Sequence, residues 1–180
     1  MSTARDRAEW KKIEAAIERD DWKQARRLIR GWLRRSPTNH WLLTRMGLTY
    51  YEQRRYRQAL AYERQALRLA PHCPLVMWDY AGTLDMLGRK KEALALYRRL
   101  LNRREQRLAQ GPCGEGDRWA RSLMADCFYR IAVILEEQHQ RKSALHAYRE
   151  HLARRKRGTQ SIYPLRDVIR RYKALASQLS

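Results

Sequence analysis

With 180 residues, the chain is long enough to bury one continuous core or to divide into two small domains. Its 39 Lys and Arg against 19 Asp and Glu leave a formal net charge of +20, which bears on partners and solubility rather than on fold. Eight Gly and five Pro suit helices joined by short turns, the opening MSTARDRAEWKK lacks the apolar core of a secretory leader, and no stretch approaches the ~20 apolar residues of a membrane span. Cys73, Cys113 and Cys127 are odd in number and lack CxxC spacing, which predicts reduced thiols in a soluble, cytoplasmic protein.

Residues 6–37 read as a first pair of helices, with Asp20-Asp21 supplying the turn and an N-cap for the second. From His40 to Pro71 a second pair follows, and from Pro74 the pattern repeats at a spacing of 34. In that register Gly47 lies over Ala81, Tyr50 over Leu84, Ala59 over Ala93, Glu63 over Tyr97 and Ala66 over Leu100. Helix axes that approach to about 8–10 Å need small side chains where their ridges cross. Gly47, Ala59 and Ala66 supply that gap, and Tyr50, Leu60 and Leu67 fill the space around it.

This pattern resembles the tetratricopeptide repeat. Leu43, Met46, Gly47, Tyr50, Ala59, Ala66 and Pro71 match its positions, whereas Glu63 stands where an aromatic is usual. The first pair is a degenerate copy, carrying Ala25 and Pro37 in register but Ile13 in place of the Gly, as terminal repeats often do. In the third pair Leu84, Gly88, Ala93, Tyr97 and Leu100 follow the pattern, but Glu105 replaces the closing Pro, so the helix is expected to run on toward Gly111. About 17 residues are inserted before a fourth pair marked by Ala132, Leu135, Ala144 and Tyr148. The insertion is expected to lengthen the flanking helices into a projecting hairpin whose tip is GPCGEGD. After TQSIY, an apolar face of Leu165, Val168, Ile169, Tyr172, Leu175 and Leu179 predicts a capping helix. The expectation is a single all-α domain, a right-handed α-solenoid of about four helix hairpins (6–37, 40–71, 74–110, 117–157) plus a cap over 164–179.

The resemblance implies a concave groove lined by the first helix of each pair, and hence a scaffold or adaptor that holds a peptide segment. By position its lining comprises Trp10, Glu14, Trp41, Thr44, Arg45, Leu48, Tyr51, Trp78, Asp79, Asp85, Tyr129, Arg130 and Glu136. Aromatic anchors beside polar groups are the composition of interaction hot spots. Arg45, Asp79 and Arg130 share one repeat position, which also suits a salt-bridge ladder between neighbouring helices. The residues that clamp the carboxylate of chaperone tails in related proteins are replaced here by Trp10, Glu14, Arg45, Leu75 and Asp79, so a neutral or basic segment is the expected ligand.

A second class of function rests on Arg26, Arg27, Arg30, Arg64, Arg68, Arg98 and Arg99 of the second helices, which would attract nucleic acid, RNA above all, without reading its sequence. Self-association through the third and fourth hairpins is a third reading. Enzymatic readings find little support. GPCGEG lacks the Lys-Ser/Thr of a phosphate loop, and Cys113 reads as a turn residue with no positional His partner. His72-Cys73 offers two metal ligands at best, His146 and His151 share no helix face, and Cys127 reads as core. No catalytic residue, metal site or cofactor is therefore expected.

Overall fold

A computed structural model describes residues 4–178, with side chains from residue 6 onward; Leu179 of the expected cap lies outside the described residues. Ten helices are present among them: α1 (Ala4–Glu18), α2 (Trp22–Leu33), α3 (His40–Tyr51), α4 (Tyr56–Leu69), α5 (Pro74–Met86), α6 (Lys90–Leu101), α7 (Glu105–Gln110), α8 (Asp117–Glu137), α9 (Arg141–Lys156) and α10 (Leu165–Ala176). Antiparallel neighbours α1/α2, α3/α4, α5/α6 and α8/α9 form hairpins that stack in sequence order, giving an α-solenoid closed at its end by α10 against α9. No helix among the described residues is long and apolar enough to cross a membrane.

The repeat is written into the turns as well as the core. Asp20, Arg54, Gly88 and His139 all have φ between 57° and 76°, one at each hairpin turn. Behind each, the next residue donates its N–H back to the carbonyl of the residue four before the turn: Asp21 to Ala16, Arg55 to Tyr50, Arg89 to Leu84 and Gln140 to Leu135, all at 2.9 Å. This left-handed C-terminal cap satisfies carbonyls that the helix end would otherwise orphan. Three of the four residues are not glycine, so the tertiary pairing of the helices outweighs the local cost of the left-handed conformation. Helix starts have their own devices: Asp21 accepts from Gln24 N (3.0 Å), Asn39 from Trp41 N (3.0 Å) and Leu42 N (3.2 Å), and Pro74 opens α5.

Small residues stand where helices meet. Ala25, Ala59, Ala66, Ala81, Ala93, Ala132 and Ala144 are fully buried. A Cβ placed on Gly47 would lie 2.7 Å from Glu63 Cγ, so α3 and α4 pack closely only because position 47 has no side chain. The main core runs from α5 to α10 through Met77, Leu84, Tyr97, Leu100, Leu108, Ile134, Tyr148 and Val168; Ile13, Ile29, Leu42 and Met46 form a second cluster at the other end.

The insertion departs from the expected projecting hairpin. Helix α6 ends at Leu101; Arg104 is extended (φ −63°, ψ 136°), and α7 is a separate short helix. Arg103 turns back to donate to the His72 carbonyl (2.7 Å), and Leu108 and Ala109 of α7 are buried against the main core. Burying that apolar pair wins over continuing the helix into solvent.

Replacing Gly47 by Ala forces a methyl into Glu63 and is expected to cost about 1–3 kcal/mol. In a Glu63→Ala background the same change should instead gain up to about 1 kcal/mol from helix propensity. Urea unfolding of the four proteins of this cycle measures both, and equal effects in the two backgrounds would show that the contact does not limit packing.

Candidate functional site

The face of α3, α5 and α8 that carries Leu48, Tyr51, Trp78, Asp79 and Arg130 encloses a cavity of about 190 Å³, with Glu63 and Tyr97 behind it. Its volume suits one long side chain rather than a drug-sized molecule. Trp78 meets Tyr97 edge-on with ring centroids 5.4 Å apart. Glu63, only 1 % exposed, accepts a hydrogen bond from Thr83 Oγ1 (2.9 Å) at one oxygen, while its other oxygen is buried without a partner. Burial pushes the Glu63 carboxyl up to about 8; the Thr83 bond pulls the other way and the Asp79 charge adds to the rise. Burial likewise lifts Asp79 to about 7, against the opposing pull of Arg45.

A wider hollow of about 760 Å³ lies toward the N-terminal end, between Trp10, Trp32, Trp41, Arg45 and Glu115. Trp10 packs edge-on against Trp32 at 6.2 Å, and the Arg45 guanidinium lies 5.7 Å from the Trp10 ring. Arg45 Nε also donates to Glu14 Oε1 (2.9 Å), which fixes both side chains. Glu115 reaches this hollow only because the inserted segment folds inward, which the sequence reading of a projecting tip missed.

Four expected lining residues are withdrawn from the open face. Thr44 is fully buried and donates to the His40 carbonyl of its own helix (2.8 Å). Asp85 is buried beneath Arg130 and Lys90, both of which bind its carboxylate. Glu136 accepts from Arg171 of α10 and from the Tyr148 hydroxyl (2.6 Å), so the capping helix covers it. Tyr129 lies under Tyr163, stacked at 3.9 Å between centroids. The expected ladder is also re-paired: Arg45 binds Glu14 and Arg130 binds Asp85, leaving Asp79 without a direct ion pair among the described residues.

Residues 159–163 are expected from the sequence only to link helices. Instead Ile162 and Tyr163 form part of the cavity wall. Ile162 N donates weakly to Asp126 Oδ2 (3.5 Å), and burial raises Asp126 to about 6. The stretch SIYP carries no periodicity from which its path could be read.

On the second helices, Arg27, Arg30, Arg64, Arg68, Arg98 and Arg99 are exposed. Arg26 is half-buried, donating to Thr49 O (3.2 Å) and Gln53 Oε1 (2.8 Å) and lying over Tyr50. Arg99 donates to the Pro71 carbonyl (3.3 Å). Arg27, Arg30, Arg64, Arg68 and Arg98 form no ion pair among the described residues.

Cys127 is buried core and Cys113 sits in a turn, both as expected, but Cys113 Sγ meets an unexpected partner, His40 Nε2, at 3.3 Å and packs beside buried Cys73. His72 does not join them. His151 is buried with Nδ1 against the Ala125 carbonyl (2.8 Å), whereas His146 is exposed.

Residues 44–112 match the family model of the tetratricopeptide repeat. The fold is similar to a crystal structure of the protein MamA, with a TM-score of 0.63 and 16% identity over 83% of this chain and 72% of that one. A MamA segment from Desulfovibrio magneticus RS-1 gives 0.64 at 16% identity, over 86% and 77%. Another MamA crystal structure gives 0.60 at 17%, over 92% of each chain. At such identities the likeness is one of fold. No curated protein sequence matches the chain.

The raised Glu63 carboxyl has a consequence for stability. Its folded value, about 8, lies above the ordinary carboxylate value of 4.5, so the folded state holds a proton that the unfolded state has released. This contribution to stability is full below about pH 4.5, declines as pH rises, and is spent above about 8. The stability difference between wild type and Glu63→Gln should therefore shift against wild type by up to ~1.4 kcal/mol per pH unit between about pH 5 and 8. Denaturation midpoints across that range test it; parallel pH curves for the two proteins would place the ordinary carboxylate value on Glu63.

Proposed function

We propose that the chain, whose residues 44–112 match the tetratricopeptide-repeat model, serves as a protein–protein interaction scaffold that holds a peptide segment along the face of α3, α5 and α8 and takes one basic side chain of that segment into the cavity. The observation that carries this reading is the buried, unpartnered oxygen of Glu63 in the wall of an aromatic-lined cavity. A guanidinium or ammonium entering there would satisfy that oxygen, lie near Asp79, and meet the rings of Trp78 and Tyr51. The wider hollow, with Trp10, Trp41 and Arg45, would seat an apolar or aromatic residue of the same segment. Overall charge of +20 does not oppose this, since screening over about 8 Å at physiological salt leaves the nearest carboxylates to decide.

The test is binding of a peptide library in which each basic residue is paired with a neutral isostere. Retained peptides should require one Arg or Lys, and Glu63→Gln and Trp78→Ala should each weaken them about 10-fold, the equivalent of ~1.4 kcal/mol. Affinity for an Arg peptide should rise as pH approaches and passes about 8, because the cation favours ionised Glu63. Binding that ignores the basic residue and both substitutions would refute the cavity as its seat.

A second reading is supported by the five exposed arginines without ion pairs on α2, α4 and α6. We propose non-specific RNA binding as their alternative use. Affinity for a homopolymeric RNA should then fall by about 10³-fold or more between 50 and 200 mM salt if six phosphates are engaged. Arg64→Glu with Arg68→Glu should flatten that slope. Absence of binding at low salt removes the reading.

A further inference from the structure

We propose that His40, Cys73 and Cys113 form a binding site for a thiophilic metal ion, Zn²⁺ in its simplest form. The three residues come from the start of α3, the turn between α4 and α5, and the inserted segment between α7 and α8. Nothing in their sequence spacing joins them, yet one ligand atom from each lies within 4.8 Å of the other two. His40 Nε2 and Cys113 Sγ are already 3.3 Å apart. Zinc bonds of about 2.3 Å to sulfur and about 2.0–2.1 Å to imidazole nitrogen, arranged tetrahedrally, separate such donors by about 3.5–3.8 Å. The donors therefore need to move by only about an ångström to close on an ion. A thiolate pair with one imidazole selects Zn²⁺ or Cu⁺ over the hard cations, which prefer oxygen.

The backbone around Cys113 is shaped to bring it inward. Cys113 has φ 64°, in the left-handed region that residues with a Cβ seldom adopt. The following Gly114 packs so tightly on the end of α7 that a Cβ there would lie 2.3 Å from the Ala109 carbonyl oxygen. Cys73 is 2 % exposed, and Cys113 and His40 are half-buried, so the site is sheltered but reachable. On binding, both thiols lose their protons to solvent, two Zn–S bonds and one Zn–N bond form, and water or an outside ligand takes the fourth position. The ion would staple the inserted segment across the junction of the second and third hairpins, and so hold Glu115 at the rim of the wider hollow. This inference is independent of what that hollow binds.

Fully reduced protein is titrated with Co²⁺ and then Zn²⁺, beside Cys113→Ser, His40→Ala and Cys127→Ser. The expected result is uptake of one ion, a thiolate-to-cobalt charge-transfer band that Zn²⁺ bleaches, and a fall in the number of thiols alkylated in the folded protein from one, Cys113, to none, since Cys73 and Cys127 are already buried. Cys113→Ser should bind at least ~100-fold more weakly and His40→Ala ~10-fold, while Cys127→Ser should match wild type. The alkylation count is read on wild type, so it stands even if a variant fails to fold. No band, protection of no thiol, or a band that survives Cys113→Ser would overturn the site. So would a Cys73–Cys113 disulfide that re-forms in air at the same rate with and without equimolar Zn²⁺.

Discussion

Where the backbones of α3 and α4 come nearest, the side chain of Glu63 fills the space a Cβ on Gly47 would take. An acid at such a place must stay protonated or find a partner, and Thr83, on the next hairpin, supplies a hydroxyl to one of its oxygens. One contact thus sets the spacing within the second hairpin, ties it to the third, and leaves an oxygen at the wall of the cavity. Tyr97, the equivalent residue one repeat later, is buried at the same structural position and lines the same cavity from behind. An aromatic ring there completes a core; a carboxyl there creates a polar demand inside it.

Much of the fold was legible because repetition makes helix packing local. Gly47, Ala59, Ala66, Ala81 and Ala93 mark crossings, and a period of 34 is visible without knowing any long-range contact. Glu63 could be singled out as the departure from the repeat pattern, but its burial and its Thr83 partner depend on a neighbouring hairpin that sequence alone does not orient. The non-glycine turn residues Arg54 and His139 gave no turn signal of their own; only their register with Gly88 does.

Legibility ends where the repeat is interrupted. Glu105 in place of the closing Pro removes a stop signal, and helical composition then favours a longer helix than the one formed. What decides the path is burial of Leu108 and Ala109 together with Arg103 at the His72 carbonyl, neither of which has a sequence pattern. The same holds for Ile162, at the cavity wall, and Tyr163, stacked on Tyr129, whose places follow from the position of α10. Both interruptions fold toward the inner helices, so the chain supplies part of the surface that a plain stack of hairpins would leave open.

Charge is sorted by face as a result. Arg27, Arg30, Arg64, Arg68, Arg98 and Arg99 remain in solvent, where each costs little, while Glu63 and Asp85 are buried and Asp79 is half-buried. Asp85 is answered by Arg130 and Lys90, whereas Glu63 and Asp79 lack an equivalent cation and are pushed toward the neutral form. A leucine or phenylalanine at position 63 would relieve that cost at once and restore the repeat pattern. Stability alone therefore argues against a glutamate there, and an acid held at odds with its surroundings beside an aromatic-lined cavity is the arrangement that a ligand carrying the missing positive charge would resolve.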